Sequence, residues 1–461
     1  MSSNPANVCF HVRPGGALKG RLRVPGDKSI SHRSIMLGAI AEGVTRISGF
    51  LEGEDSLATL NAFRAMGVAI EGPEAGKVTV QGVGLHGLKA PSGPLDLGNS
   101  GTSMRLLSGL LAGQQFDVEL IGDHSLMGRP MRRVTEPLAA MGAQIGTTPQ
   151  GTAPLRITGA RGLRAIDYPM PVASAQVKSC LLLAGLYAEG RTCVTEPAPT
   201  RDHTERMLQG MGYAVELNGA TRCVEGGGTL HAVDIDVPAD ISSAAFFLVG
   251  ASIAPGSDLL LEHVGVNPTR TGVIKILRLM GADIELLNAR EIGGEPVADL
   301  RVRAAKLHGI DIPLEQVPLA IDEFPALFIA AACAEGRTVL TGAEELRVKE
   351  SDRIQVMADG LRALGVKAEA TPDGMIIDGG TIDGGQVNSQ GDHRIAMSFA
   401  MAALRAAGPI RIDDCANVDT SFPGFVQQAA MVGLGIDYAV PVITIDGPSG
   451  SGKGTVSRLV A

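Results

Sequence analysis

Basic and hydroxyl side chains recur where polar segments run into apolar ones, and this pattern is the main chemical signal in the chain. The first case is Pro25-Gly-Asp-Lys-Ser-Ile-Ser-His-Arg-Ser34, which runs into the apolar segment Ile35 to Ala41. The first backbone N–H groups of a helix lack an intrahelical acceptor, and the helix dipole adds positive charge there. Phosphate or carboxylate therefore binds well at such a start. Taken alone, the loop could equally be a solvated cap in which Ser29 or Ser31 begins the helix.

The arrangement returns along the chain, which favours the anion site. Each later polar start also precedes a strongly apolar run, so six such helices are predicted. A helix that is apolar on all sides is buried on all sides, which predicts inner helices with sheets around them. The later starts are Asn99-Ser-Gly-Thr-Ser-Met-Arg105, Ser174-Ala-Gln-Val-Lys178, Asp240-Ile-Ser-Ser243, Asp322-Glu323 and Asp392-His-Arg394.

A second segment follows each apolar helix and ends in glycine before a β-like run. The spacing of these glycines indicates a repeat of roughly 70 to 85 residues with α/β content. Each glycine is predicted to be a left-handed helix cap. The glycines are Gly67, Gly142, Gly212, Gly281, Gly365 and Gly435.

The length of the chain predicts more than one core. A chain of 461 residues exceeds what one hydrophobic core normally supports. Six repeats divide into two lobes of three: residues 24–237, and residues 1–23 together with 238–440. The β-like run Val8 to Arg13 is expected to complete a sheet elsewhere, and the chain is expected to cross between lobes near Pro238. Two crossings suit a hinge that closes a cleft.

Composition excludes several classes of protein. The net charge of −9 opposes nonspecific binding to nucleic acid, so any anion site must be local. The six cysteines show no close pairing, which favours buried free thiols over disulfides or metal ligands. The histidines show no metal-ligand spacing, and no metal is expected. No apolar run is long enough for a signal peptide or a membrane span, so a cytoplasmic protein is expected.

Eight cations stand at these helix starts and in three further polar segments, GDHSLMGRPM, PTRDHTE and VKESDR, of an acidic protein. They predict substrates that carry several negative charges, because such groups bind fixed cations. The eight are Lys28, Arg33, Arg105, Arg129, Arg201, Lys349, Arg353 and Arg394.

The motifs resemble those of the 5-enolpyruvylshikimate-3-phosphate (EPSP) synthase family. PGDKSISHR, GNSGTSMR, RPM, SAQ, DE, RVKESDR and DHR occur in the family's order between about Gly16 and Gly435. The resemblance implies transfer of the enolpyruvyl group of phosphoenolpyruvate to the 5-hydroxyl of shikimate 3-phosphate, with release of phosphate, by addition and elimination. It also implies an α/β fold of two lobes, each with three βαβαββ units, the helix starts facing a cleft. No cofactor and no macromolecular partner are implied, and a monomer is expected.

The resemblance assigns binding residues to each substrate. Those expected around shikimate 3-phosphate are Lys28, Ser29, Arg33, Ser174, Ala175, Gln176, Arg201, Asp322 and Lys349. Those expected around phosphoenolpyruvate are Lys28, Asn99, Gly101, Arg105, Arg129, Gln176, Arg353 and Arg394.

Three residues are the expected catalytic groups. Asp322 is expected to contact the attacking hydroxyl and Glu350 to handle the proton at the methylene carbon, with Lys28 as a competing acid. Two carboxylates in different environments suit a reaction that needs a base and an acid in turn. The alternative for both carboxylates is a structural one, a helix cap and a surface salt bridge. Among the histidines, His393 is expected to order Arg394, while His32, His124 and His203 are expected to orient loops.

Two positions depart from relatives within the resembling family. Glyphosate-tolerant members with a bulkier residue in the Asn-x-Gly-Thr loop carry Ala where this chain has Gly101. This chain is therefore expected to be inhibited by glyphosate. Thr420 stands where many members have Lys, which removes one expected cation.

Three other functions are weighed against this one. UDP-N-acetylglucosamine enolpyruvyltransferase is disfavoured by Ser29 and by the absence of Cys near Arg129. A phosphosugar-binding protein would bind shikimate 3-phosphate without chemistry. A nucleotide-binding module is supported only by Gly447 to Thr455, which form a GxxxxGK loop. This loop lies in residues 441–461, which are similar to the start of cytidylate kinase. Those residues are expected to be a truncated, disordered P-loop segment.

Overall fold

Helices and strands alternate along the described part of the chain. The computed structural model of the protein describes residues 8–159 and 162–439. The α-helices are α1 (Lys28–Ile40), α2 (Glu54–Ala65), α3 (Gly101–Ala112), α4 (His124–Met127), α5 (Arg132–Ala140), α6 (Ala175–Gly185), α7 (His203–Gly210), α8 (Ile241–Ile253), α9 (Gly272–Leu279), α10 (Phe324–Cys333), α11 (Arg353–Ala363), α12 (His393–Ala402) and α13 (Phe425–Met431). Short 3₁₀ helices are Leu314–Gln316, Glu344–Val348, Ala403–Arg405 and Ala416–Thr420.

The strands form small sheets of mixed direction. They are β1 (Cys9–Val12), β2 (Lys19–Leu22), β3 (Glu42–Ser48), β4 (Ile70–Glu74), β5 (Lys77–Val83), β6 (Leu95–Asp96), β7 (Val118–Ile121), β8 (Gln144–Gly146), β9 (Leu155–Thr158), β10 (Asp167–Pro169), β11 (Arg191–Thr195), β12 (Val215–Asn218), β13 (Thr221–Glu225), β14 (Ile235–Asp236), β15 (Asp258–Gly265), β16 (Asp283–Ile292), β17 (Glu295–Arg303), β18 (Arg337–Leu340), β19 (Lys367–Thr371), β20 (Gly374–Asp378), β21 (Gly385–Asn388), β22 (Ile410–Asp413) and β23 (Ile436–Ala439). The sheet orders are β14-β3-β5-β4, β6-β7-β9-β8, β10-β11-β13-β12, β16-β17-β15-β2, β18-β20-β19 and β21-β22-β1-β23.

The apolar helices are the inner ones, as their sequences predicted. Every residue of α8 is buried, and α1 is buried from Ile30 to Ile40. α3 packs on α6, and α10 packs on both α8 and α12. Because these helices are buried on all sides, their polar side chains and free N–H groups lie mainly at the helix ends.

Polar side chains cap most of these inner helices. At α1 the cap is Asp27, whose carboxylate accepts a hydrogen bond from the N–H of Ile30, so the expectation of Ser29 or Ser31 as cap is wrong. An aspartate at this position leaves the hydroxyl of Ser29 outside the capping interaction. The other capping side chains are Ser100 at α3, Ser174 at α6, Asp240 at α8 and Asp392 at α12.

Five of the six predicted glycine caps have the left-handed backbone that favours glycine. The φ angle is 86° at Gly67 and 96° at Gly281, for example. In the last unit the prediction is wrong, because the positive φ of 115° belongs to Gly433 and not to Gly435. Helix α13 ends at Met431, two residues before Gly433. Gly433 is therefore the left-handed residue that follows this helix.

The described residues build two hydrophobic cores. The first core is formed by side chains between Ile30 and Val237. The second is formed by side chains between Phe10 and Val24 and between Ala239 and Ile436. Strand β1 pairs with β22 and β23. This confirms the prediction that the N-terminal β-like run completes a sheet built by a distant part of the chain. The N-terminal stretch also holds β2, which pairs with β15 and was not predicted.

The two crossings between the cores lie side by side. The N–H of Asp27 donates to the carbonyl of Pro238 at 2.8 Å, and the N–H of Asp240 donates to the carbonyl of Pro25 at 2.9 Å. Paired backbone at this point ties the start of α1 to the start of α8, so the crossings also fix two of the polar helix ends.

One cysteine pair contradicts the expectation of free thiols. Cys193 and Cys223 form a disulfide between the antiparallel strands β11 and β13, with their Cα atoms 4.1 Å apart. The two residues are direct cross-strand neighbours, whereas in sequence they are 30 residues apart. The pairing therefore had no local signal.

The described residues contain neither a membrane-spanning helix nor a metal-binding cluster. Within residues 8–159 and 162–439 no helix combines the length and hydrophobicity needed to cross a bilayer. In the same residues no cluster of three or more His, Cys, Asp or Glu side chains is arranged to hold a metal ion.

Candidate active site

Asp322 lies at the centre of the predicted cations, immediately before α10. Its carboxylate forms an ion pair with Arg201, lies 3.4 Å from the Lys349 Nζ and lies 3.6 Å from an Arg353 nitrogen. Arg394 donates to the Asp322 backbone carbonyl at 3.0 Å. Arg201 comes from the part of the chain that builds the first core, and the other residues come from the second. This cluster therefore joins residues from both parts of the chain.

The same cations control the ionisation of Asp322. Burial alone would raise the pKa of this carboxyl, but the positive charges of Lys349, Arg201, Arg394 and Arg353 hold the pKa well below its usual range. Asp322 is therefore a carboxylate at neutral pH, able to accept a hydrogen bond from a hydroxyl group.

Lys28 begins α1 beside both crossings. Its backbone N–H donates to the Asp240 carboxylate at 3.2 Å, and its Nζ forms an ion pair with Asp55 of α2. Asp55 is 6% exposed. The pKa of Asp55 is lowered, since the charge and hydrogen bond of Lys28 outweigh the effect of burial. Sequence reasoning missed Asp55, although it lies in the LEGED segment.

A second group of cations lies at the start of α3. Arg105 donates to the side-chain carbonyl of Gln176. The amide nitrogen of Gln176 donates in turn to the hydroxyl of Thr102 at 3.1 Å. Arg129 donates to the side-chain carbonyl of Asn99 at 2.6 Å. Burial, together with nearby arginine charges, lowers the pKa of Arg105 to about 10. A bound anion would stabilise the charged form of Arg105, because it would offset both the burial and the neighbouring positive charge.

Glu350 links the two groups of cations. It accepts a hydrogen bond from Arg353 at 2.6 Å. Burial raises its pKa, but the positive charges of Arg353, Arg129 and Lys28 outweigh burial and hold the pKa below its usual range. Burial lowers the pKa of His393 to about 4, so this side chain is neutral at pH 7. Glu350 is thus an ionised group surrounded by the residues expected to bind phosphoenolpyruvate.

Arg353 is held by a carboxylate that the sequence reading did not single out. Its Nε donates to Asp392 at 2.8 Å, and its side chain is 1% exposed. Asp392 also caps α12 through the N–H of Arg394 at 2.9 Å. One aspartate therefore fixes two of the predicted arginines.

Arg33 has a different environment from the other seven cations. It is 4% exposed and donates to Thr204 at 2.7 Å, to Ser179 at 2.8 Å and to the carbonyl of Ser29 at 2.9 Å. These contacts tie α1 to α6 and α7. They favour a role in placing Ser29, while direct contact between Arg33 and a substrate stays a prediction.

The remaining candidates fall into two groups. Ser174 caps α6 and Ala175 is its first residue, so both lie at a helix start together with Gln176. Thr420 donates to the carbonyl of Asn417 at 2.7 Å. The GxxxxGK loop and the rest of residues 441–461 lie outside the described residues.

A buried charged cluster below Arg201 was also missed. Lys178, whose side chain is fully buried, forms ion pairs with Glu196 and Glu205, the latter at 2.7 Å. Glu196 further accepts from the N–H of Thr200 at 2.7 Å. Lys178 belongs to a predicted polar helix start, but its burial with two glutamates could not be predicted, because only the fold brings these partners to it.

The fold and the site together define a class of protein. It is an α/β protein with inner helices, and cations and two ionised carboxylates meet where side chains from the two cores contact each other. Such a site suits an enzyme that joins two small anionic substrates, because the cations offset the repulsion between them.

Comparison with known proteins gives the family. The EPSP synthase (3-phosphoshikimate 1-carboxyvinyltransferase) family model matches residues 12–429, and the chain belongs to this family. It is 72% identical over 433 residues to the 3-phosphoshikimate 1-carboxyvinyltransferase of Methylococcus capsulatus, covering 94% of this chain and 99% of that protein. It is 73% identical over 428 residues to the enzyme of the same name from Alkalilimnicola ehrlichii, covering 93% and 96%. The predicted enzyme class is confirmed.

Solved structures agree on the fold. The EPSP synthase of Acinetobacter baumannii is similar with a TM-score of 0.87 and 60% identity, over 94% of this chain and 100% of that one. An enolpyruvyl transferase from Streptomyces tendae has a TM-score of 0.76 at 17% identity, over 95% and 100%. The second likeness shows the fold alone. The predicted enolpyruvyltransferase-like α/β fold is confirmed.

Proposed function

We propose that this chain transfers the enolpyruvyl group of phosphoenolpyruvate to the 5-hydroxyl of shikimate 3-phosphate at the crevice around Asp322. The observation that carries the proposal is the meeting of four cations at Asp322: Arg201, Lys349 and Arg353 at its carboxylate, and Arg394 at its backbone carbonyl. Each substrate brings a phosphate of about −1.5 to −2 charges at neutral pH. Cations from both parts of the chain allow two such groups to lie side by side.

The cations divide between the two substrates, and the group around Asp322 contributes to both. Arg201 and Lys349, with the helix starts at Ser29 and Ser174, would hold shikimate 3-phosphate. Around phosphoenolpyruvate we place Arg105, Arg129, Arg353 and Arg394. A guanidinium group matches carboxylate or phosphate oxygens with two parallel hydrogen bonds.

The proposed reaction begins with addition. Asp322 accepts the proton of the 5-hydroxyl, and the hydroxyl oxygen bonds to the central carbon of phosphoenolpyruvate while the methylene carbon gains a proton. Elimination then breaks the bond to the phosphate oxygen, removes a proton from the new methyl group and restores the double bond. One proton is taken up at carbon and one is released, so the overall transfer leaves phosphate and the enol ether.

Glu350 and Lys28 are the candidates for the proton at carbon. Glu350 is ionised in the free protein, so it is ready to remove the proton during elimination. Binding of two anions would neutralise the cations that depress its pKa. That change would let Glu350 carry the proton during addition. Lys28, charged and beside the same site, is the alternative donor.

The test of this function is phosphate release from phosphoenolpyruvate by the full chain. Release is expected with shikimate 3-phosphate, and only background release without it. UDP-N-acetylglucosamine in its place is expected to give background release as well. Release that ignores the acceptor, or that requires the nucleotide sugar, would contradict the proposal. Binding of shikimate 3-phosphate without any release would favour the phosphosugar-binding alternative.

We further propose that residues 24–237 form one lobe and residues 1–23 with 238–440 the other. The paired crossings at Asp27 and Asp240 support a hinge there, because two adjacent strands of backbone define an axis. A monomer that binds no nucleic acid and a cytoplasmic location stay predictions. The net charge of −9 supports the absence of nucleic acid.

Gly101→Ala is expected to weaken glyphosate inhibition more than it weakens use of phosphoenolpyruvate. A methyl group at Gly101 would lie 3.2 Å from nitrogens of both Arg105 and Arg129, so these arginines would have to shift by a few tenths of an ångström. Glyphosate is longer than phosphoenolpyruvate, so it has less room to adjust to the added methyl group. We expect the inhibition constant to rise roughly tenfold or more beyond any rise in KM for phosphoenolpyruvate, as steric discrimination by one methyl group allows.

The control for this prediction is Gly93→Ala. A methyl group there meets no atom within 4 Å, and it is expected to change neither constant. The measurement is steady-state inhibition by glyphosate of the unaltered protein, of Gly101→Ala and of Gly93→Ala. An equal change in the inhibition constant and in KM for Gly101→Ala would refute the steric argument.

A further inference from the structure

A short loop between β15 and α9 lies at the junction of the two cores. It runs from Asn267 to Arg270, and these two residues are 2% and 3% exposed. Buried polar side chains of this kind are normally fully hydrogen-bonded, and truncating one leaves its partners unsatisfied. The partners of Asn267 and Arg270 therefore indicate what the loop does.

Arg270 anchors the loop to both crossings. Its guanidinium lies 3.2 Å from the Asp27 carboxylate, 3.3 Å from that of Asp240 and 3.7 Å from that of Glu323. It also donates to the Ser242 hydroxyl at 2.6 Å. Asp27 directly precedes Lys28 in the sequence. Arg270 thus fixes the loop relative to the start of α1 and the start of α8.

Asn267 reaches from this anchored loop to the Arg201 segment. Its amide nitrogen donates to Asp202 at 2.7 Å and to Glu295 at 3.0 Å. Asp202 is the neighbour of Arg201, and Glu295 contacts the Nδ1 of His203 at 2.7 Å. One amide group therefore bridges the residue that follows Arg201 to strand β17 of the second core.

The start of α7 is held to the second core by one more contact. Arg206 donates to the carbonyl of Gly294, in the turn between β16 and β17, at 2.8 Å. Arg206 also pairs with Asp202 at 2.9 Å. These contacts converge on Asp202, so the position of Arg201 depends on how Asp202 is held.

We infer that Asn267 is a positioning residue that holds Arg201 in place for shikimate 3-phosphate, through Asp202 and from the loop anchored by Arg270. The inference rests on the proposed function, in which Arg201 binds that substrate. Asn267 touches neither substrate in this account. Its effect reaches the reaction only through the placement of one guanidinium group.

The inference predicts an effect on one substrate only. Arg201 binds an oxygen that takes no part in bond making, so its contact is equally strong before and during the reaction. Loss of such a contact raises KM without lowering kcat. We expect Asn267→Ala to raise KM for shikimate 3-phosphate roughly 10- to 100-fold, the penalty of a shift of about 1 Å in a positioned group. KM for phosphoenolpyruvate is expected to change by less than about threefold, because Asn99, Gln176 and Asp392 hold the arginines placed around it. Arg201 also pairs with Asp322, so kcat is expected to fall, but by less than KM for shikimate 3-phosphate rises.

The experiment compares Asn267→Ala with Asp202→Ala and with a control. Asp202→Ala removes the same contact from the other side, at a partly exposed residue. The control is Asn288→Gly, which removes an exposed asparagine that donates to Asp299 at 2.8 Å and has φ of 50°, a conformation glycine tolerates. Thermal unfolding is measured for each protein before the kinetics, and calorimetry with shikimate 3-phosphate gives its Kd.

A rise in KM and Kd for shikimate 3-phosphate alone, in each folded variant of the pair and not in the control, supports the inference. Unchanged KM for shikimate 3-phosphate, or equal rises for both substrates, in either folded variant would overturn it. If the unaltered protein releases no phosphate at all, the proposed function itself fails, which is a separate result. If Asn267→Ala does not fold, Asp202→Ala alone decides.

Discussion

Asp322→Asn is expected to lower kcat by roughly 10²- to 10⁴-fold, the usual contribution of a positioned general base. Asparagine keeps the shape of the side chain and removes the charge that accepts the hydroxyl proton. The carboxylate is 15% exposed and ion-paired to Arg201, so no water or neighbouring acid replaces it easily. The measurement is kcat for phosphate release with both substrates saturating.

The matched control is Asp378→Asn. Asp378 also pairs with an arginine, Arg337, but its side chain is 39% exposed and remote from the crevice. Its replacement is expected to leave kcat unchanged. A kcat for Asp322→Asn within about threefold of the control would remove Asp322 from the mechanism and return it to the structural role of a helix-start residue.

Arg353→Met is expected to cost about 3–5 kcal/mol of the free energy of unfolding, the range found when one partner of a buried ion pair is removed. Arg353 is 1% exposed and Asp392 is fully buried. Without the guanidinium, the fully buried Asp392 would be left as a carboxylate without its cation, and Glu350 would lose its ion pair. Urea unfolding at pH 7 measures the loss. KM for phosphoenolpyruvate is expected to rise as well, since a binding group is removed.

Arg337→Met serves as the comparison, because it breaks an arginine–aspartate pair at 62% and 39% exposure. Exposed pairs contribute about 0–1 kcal/mol, so a small change is expected there. Equal losses in the two variants would mean that the Arg353 cluster does not depend on burial for its strength. The site would then be less rigid than its hydrogen bonds indicate.

The parts of the fold that follow from local pattern could be predicted. The inner helices α3 and α8 follow from continuous apolar runs, and the glycine at position 67 follows from a helix that must end. The last unit shows the limit of this reasoning. Either Gly433 or Gly435 could end α13, and packing places the left-handed residue at Gly433.

The candidate site could be predicted only in part. Lys28, Arg105 and Arg353 stand in motifs, so type and spacing were enough to name them. Asp55 and Asn267 stand in no such pattern, because their roles come from contacts with residues far away in the sequence.

The same limit explains two other misses. The Cys193–Cys223 disulfide depends on the register of β11 and β13, which spacing cannot give. The buried position of Lys178 depends on Glu196 and Glu205 arriving from another segment. Sequence patterns report local geometry well, and contacts between distant segments require the fold.

The most direct test of the central claim is a crystal structure of the protein with shikimate 3-phosphate and a phosphoenolpyruvate analogue. The account predicts both ligands in a crevice between the cores, with Arg201 at the phosphate of shikimate 3-phosphate, Asp322 at the 5-hydroxyl, and Arg105 with Arg129 at the analogue. Ligands bound on one core alone, away from Asp322, would contradict the claim that the two parts of the chain build one active site.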